Sequence, residues 1–209
     1  MRQKTLTILA CLLVGTSGAS PTVRAQTSQP SQTLSPTKVP APVNRAVSVP
    51  YDRDLYPTWR DEDGDCQDAR QEVLIAESLQ PPQMDDRECR VMSGRWVDPY
   101  TDQTFTDPGD LEIDHMVPLA EAHRSGGDQW SAERRLTYAN DLFYVDTLIA
   151  VSANANRSKG DKDPAQWLPS NQSYHCEYVR KWVVIKATWS LKIDAAEALT
   201  ITDLLRGCP

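Results

Sequence analysis

The stretch Leu111-Glu112-Ile113-Asp114-His115-Met116-Val117-Pro118-Leu119 is an apolar, extended run that places an acid directly before a histidine and closes on a proline. Apolar residues bounded by a helix-hostile X-Pro step read as a strand, here 111–117. A second β-branched apolar run, Thr147 to Val151, predicts its partner. Ser152 can then accept from the first turn of a short helix, Ala153 to Lys159. Strand, returning strand and helix put Asn156 over the pair that carries Asp114 and His115. In a regular strand neighbours face opposite sides, so the chain is expected to twist or loop at 114–115 for both to meet one ligand.

Outward from this unit the pattern is mixed. Asp65 to Leu79 predicts a helix with an apolar stripe of Val73, Leu74, Ala76 and Leu79, ended by Pro81-Pro82. Cys89 to Thr106 reads as short strands around turns at Ser93-Gly94 and Asp98-Pro99. Short helices are expected at 118–124 and 131–138, the longest at 171–190, and a last one at 195–205 between Asp194 and Gly207. Tyr178, Trp182, Ile185 and Trp189 recur at helical spacing, which reads as a core stripe rather than a base-stacking platform. The class is α+β, with helices around a small antiparallel element.

Composition narrows the function. The 209 residues hold 22 Lys+Arg against 29 Asp+Glu, a formal charge of -7. The first fifty residues contain five bases and no acid, so the acidic excess lies entirely downstream. That argues against a protein that holds duplex nucleic acid by broad counterion release, but not against an enzyme with a few local cations. Nothing reaches the length and apolarity of a membrane span.

Arg2 and Lys4 precede the apolar run Leu6 to Val14 and the small residues Gly15 to Ser20, the layout of an export signal, here set at 1–25. Residues 26–50 are rich in Pro, Ser, Thr and Gln and read as a disordered tether, with the domain at 51–209. Removing the signal removes Cys11. The four cysteines left, Cys66, Cys89, Cys176 and Cys208, form an even set in an exported chain and predict two disulfides. Of the three pairings, sequence proximity favours Cys66–Cys89 and Cys176–Cys208. The chain is therefore expected in the periplasm or the medium.

Asp114-His115-Met-Val-Pro, Asn140 (in Ala139-Asn140-Asp141) and Asn156-Arg157-Ser158-Lys159 together resemble the HNH motif of the His-Me finger, or ββα-metal, nucleases. The stretch from Tyr51 to Cys208 is similar to secreted bacterial HNH endonucleases related to the C-terminal nuclease domain of GmrSD restriction enzymes. Asp63-Gly64-Asp65-Cys66, Arg90 to Trp96 and Asn156 to Trp167-Leu168-Pro169 carry the likeness further. The resemblance implies a metal-dependent endonuclease leaving 5′-phosphate and 3′-hydroxyl ends. It implies His115 as general base, Asp114 and Asn156 as metal ligands, and Asn140 as the residue that orients the imidazole. Asn rather than His at the third position favours Mg²⁺, with Mn²⁺ or Ca²⁺ as alternatives.

The chemistry agrees residue by residue. Phosphodiester hydrolysis needs a base near neutrality and neutralised phosphate charge, which imidazole and a hard cation supply. A carboxylate and a carboxamide are hard oxygen donors, and Mg²⁺ keeps its remaining places for water and phosphate. Arg157 and Lys159 flank Asn156 as candidate phosphate contacts. His123 and His175 lack such context and are read as surface or supporting residues. Asp61 to Asp65 can be a calcium loop, but Cys66 stands where that loop needs glycine, and a solvated turn is the plainer reading. The expected substrate is nucleic acid, DNA before RNA, cut by a monomer with low sequence specificity, since no reader module is present. The alternative is a non-catalytic extracellular or calcium-stabilised module that kept the fold.

Overall fold

The computed structural model describes residues 39–209 apart from Arg45 and Val145. The expected export signal, and the expected tether up to residue 38, lie outside the described residues. The described part of that tether runs along the domain. Val39 packs on the core, the Val43 N–H donates to Ile193 O, and Ser48 donates to the Asp128 carboxylate.

The elements in order are α1 (Ala69–Glu77), β1 (Gln83–Met84), β2 (Val91–Ser93), β3 (Trp96–Asp98), β4 (Gln103–Phe105), β5 (Leu111–His115), α2 (Leu119–Arg124), α3 (Ala132–Ala139), β6 (Leu148–Ser152), α4 (Ala153–Lys159), α5 (His175–Thr188) and α6 (Ala195–Arg206). Among the described residues the strands form three antiparallel pairs, β1–β2, β3–β4 and β5–β6. The mixed α+β class is as expected.

Helix α1 starts four residues later than the sequence pattern predicts. Asp61 accepts from the Gly64 and Cys66 N–H groups and Asp65 from the Gln67 N–H, while Gly64 and Cys66 sit at φ +81° and +75°. Side chain-to-backbone bonds thus hold a turn where a helix would compete for the same N–H groups. Asp68 accepts from the Gln71 N–H and starts the helix instead.

The β5–β6 pair is in register from Leu111↔Ser152 to His115↔Leu148, and the Met116 N–H extends it by donating to Thr147 O. Helix α4 begins on the next residue, with the Ser152 hydroxyl accepting from the Ala155 N–H, and stops at Gly160, whose φ of +57° suits glycine. Odd-numbered residues of β5 pack towards α1 with Val73, Leu74, Trp96, Leu148 and Ala150. The opposite face meets a larger core built on Tyr100, Tyr178, Val179, Trp182 and Trp189. The aromatic stripe of α5 is therefore core. Buried Asp98 accepts from Thr101 Oγ1 and from the Ser152 N–H, fixing the β3–β4 turn, and Tyr100 with it, against the base of α4.

Both expected disulfides form. Cys66–Cys89 ties the loop before α1 to the turn between β1 and β2, and Cys176–Cys208 ties the start of α5 to the segment just after α6. With partners 23 and 32 positions apart in the sequence, chain-entropy arguments assign each about 3–4 kcal/mol.

Candidate active site

Asp114, His115 and Asn156 open onto one hollow of about 360 Å³, lined also by Tyr51, Arg53, Ile113, Pro118, Leu119, Ala120, Gly160 and Asp161. The expected twist at 114–115 is absent, because β5 pairs regularly through His115. Three consecutive strand residues, Ile113, Asp114 and His115, reach the hollow. It therefore lies along the edge of β5 away from β6, where side chains from both faces can be approached. A larger hollow, about 510 Å³, sits beside α3 and Trp189. It contains no histidine, and its Arg134 is already stacked on Trp130 and Trp189.

His115 is 8% exposed, with its ring near Trp59 and Tyr138. Its Nε2 lies 3.0 Å from Ala139 O. A carbonyl only accepts, so Nε2 carries the proton and Nδ1 is left as a lone-pair acceptor. Nδ1 meets no hydrogen-bond partner among the described residues. Burial pushes the imidazole pKa down to about 4 against the pull of the Ala139 carbonyl, so the ring is neutral at physiological pH.

Asn140 does not touch that ring. Its carboxamide oxygen accepts from the Arg60 N–H, and its amide donates to Pro57 O and Leu136 O. The carbonyl of the residue before it, Ala139, orients the imidazole, and Asn140 anchors the segment that brings Trp59 near the ring.

Asp114 is 4% exposed. Lys159 Nζ donates to its Oδ1 at 2.9 Å and Oδ2 at 2.7 Å, and the Tyr100 hydroxyl donates to Oδ2 at 2.7 Å. Burial pushes the carboxyl pKa up, and Lys159 and Tyr100 pull it back. Lys159, expected at a phosphate, is wholly buried and also donates to His115 O. Its charge is spent inside the fold. Residues 112 and 114 share a strand face, and α4 covers it. Arg157 accordingly pairs with Glu112 at 2.7 Å, its side chain 72% exposed and outside the hollow. The Asn156 amide donates to the other Glu112 oxygen at 2.8 Å, which turns its carboxamide oxygen away from that carboxylate.

The donor set fits a hard divalent ion. Asn156 Oδ1 accepts no hydrogen bond among the described residues, and Asp114 Oδ1 holds a single donor, so each keeps a lone pair. The Asp61, Asp63 and Asp65 carboxylates also lie within 4.8 Å of one another, exposed and engaged in capping their own loop.

His123 is fully buried rather than a surface residue. Its Nδ1 faces the Tyr56 hydroxyl at 3.0 Å and its Nε2 meets Val49 O at 2.7 Å. His175 meets Pro169 O through Nε2. No sequence motif marks Tyr100, Glu112, Trp59, Tyr51 or Arg53. Only their rich aromatic and charged content upstream of Cys66 hints at the last three.

Among the described residues no helix is long and apolar enough to cross a membrane. Residues 68–203 match the family described as GmrSD restriction endonucleases, C-terminal domain. An uncharacterized secreted protein of Arthroderma benhamiae is 39% identical over 158 residues, covering 76% of each chain. No solved structure matches. A match of this extent means that the chain belongs to the family of the GmrSD restriction endonuclease C-terminal domain.

Proposed function

We propose that the chain is an exported, monomeric, metal-dependent endonuclease of the HNH type that hydrolyses nucleic-acid phosphodiesters with low sequence specificity. One observation carries the reading. A neutral imidazole, whose Nδ1 has no partner among the described residues, shares a hollow with two oxygen donors. His115 Nδ1 takes a proton from the attacking water, while the Ala139 carbonyl holds the ring and stabilises the positive charge it gains. The Trp59 and Tyr138 rings lie 6.4 and 6.0 Å from the imidazole and crowd it. Asp114 and Asn156 would hold a divalent ion, Mg²⁺ first, which when bound neutralises charge on the phosphate and on the leaving oxygen. Lys159 and Tyr100 fix the Asp114 carboxylate in place. The secreted relative and the two disulfides support export.

The test is plasmid and oligonucleotide cleavage with Mg²⁺ and with EDTA, for the wild type and His115→Ala. The expected result is cleavage that EDTA stops and that falls at least about a hundredfold in the variant, with a nearly unchanged melt. Equal cutting by the variant would remove His115 from the base role. No cutting of DNA or RNA with any divalent ion would favour the non-catalytic module.

A further inference from the structure

The hollow needs a cation for the phosphate backbone, and the expected ones are engaged elsewhere. Lys159 is buried on Asp114 and Arg157 is paired with Glu112; Arg124, which was not among the expected cations, is paired with Glu121 and Asp161. Arg53 is the sole cationic residue among those lining the hollow. It is exposed, and among the described residues it pairs with no carboxylate. It is nonetheless held, donating to Tyr56 O through Nη1 and to Thr58 Oγ1 at 3.0 Å through Nη2. A guanidinium has five N–H donors, so three remain for a ligand.

The ground under Arg53 is built. It opens a 3-10 turn, Arg53–Leu55, whose preceding Asp52 accepts from the Asp54 N–H. Buried Tyr56 follows, its hydroxyl on His123 Nδ1. His123 Nε2 in turn holds Val49 O, and Asn140 grips Pro57 O and the Arg60 N–H. Two buried side chains from the domain thus fix the segment on both sides of Arg53. This segment precedes residues 68–203, the span that defines the family match.

We propose that Arg53 is the substrate-binding cation of the site, donating to a non-bridging oxygen of a backbone phosphate in the hollow. The segment from Tyr51 to Arg60 is then a working part of the active site rather than a leader to it. The inference rests on the nuclease reading of the same hollow. An uncompensated guanidinium beside a neutral base and a charge-balanced Asp114–Lys159 pair suits a singly charged phosphodiester.

The experiment measures steady-state cleavage of a short labelled DNA oligonucleotide, and its binding by anisotropy in the cleavage-dead His115→Ala protein, across a NaCl series. Arg53→Gln should raise KM and Kd at least tenfold and flatten the log Kd against log salt slope by about one. Arg53→Lys, which keeps the charge and loses the fork, should recover most of the salt slope. Thr58→Val, which removes one support and keeps the guanidinium, should change KM much less than Arg53→Gln. His115-dependent cutting with KM and salt slope untouched by Arg53→Gln would overturn this inference and leave the nuclease reading standing. So would Lys and Gln behaving alike, because the effect would then be local structure. Absence of cutting and of binding in the wild-type protein would remove both.

Discussion

Lys159 offers the sharpest test of how the site is built. It stands where a phosphate contact is expected, yet it is buried on Asp114, with three donor contacts at 2.7 to 2.9 Å. Replacing it by Met keeps the volume and removes the charge. The carboxylate left behind has only the Tyr100 hydroxyl, and its escape is to take a proton. Against an unfolded-chain carboxyl of pKa ~3.9, at 1.36 kcal/mol per unit, that escape costs about 4 kcal/mol at pH 7. This agrees with the ~3–5 kcal/mol typical of breaking a buried pair. For a domain of this size the melt should fall by about 8–16 °C. The sign with pH follows. The variant's Asp114 is pushed above its unfolded value, so its folded state holds a proton that the unfolded chain releases. The deficit therefore grows by about 1.4 kcal/mol per pH unit above pH 4 and shrinks on acidification. Thermal melts in EDTA at pH 5, 7 and 8 read this directly, and Asp114→Asn added to Lys159→Met should recover most of the loss. A variant melting within a degree or two of wild type at pH 7, with equal deficits at pH 5 and 8, would refute the buried pair and return Lys159 to the phosphate.

Two further outcomes follow from the same packing. Glu77 on α1 accepts the Ala150 N–H at 2.8 Å, and burial pushes its pKa up to about 7. The fold keeps a proton that the unfolded chain loses above about pH 4, so stability falls between there and pH 7. Glu77→Gln should flatten that fall and gain up to about 3 kcal/mol at pH 8, and parallel pH–melt curves would sink the assignment. Asn140→Ala removes three hydrogen bonds, to Arg60, Pro57 and Leu136. It should cost about 2–3 kcal/mol and loosen 57–60, read as faster hydrogen exchange there with His115 still held by Ala139. Unchanged exchange in that segment would show that Asn140 does not anchor it.

The sequence alone determined the local logic. The β5 and β6 runs, the Ser152 cap and the stop at Gly160 are nearest-neighbour properties, written in side-chain pattern and backbone preference. So was the shared hollow of Asp114, His115 and Asn156, once the motif was recognised. Cysteine proximity anticipated both disulfides.

What tertiary structure alone decided is which side chains have their charge spent inside. Strand alternation puts 112 and 114 beneath α4, so Glu112 takes Arg157 and Asp114 takes Lys159, and neither cation is left for substrate. No local pattern marks Tyr100 as Asp114's partner, the Ala139 carbonyl as the imidazole's holder, or Arg53 as the cation of the hollow that pairs with no described carboxylate. Arg53 keeps its charge because it stays exposed, whereas the other two contacts join positions 14 and 24 residues apart in a dry interior. There the cost of burying an uncompensated charge or an unmade hydrogen bond selects the partner.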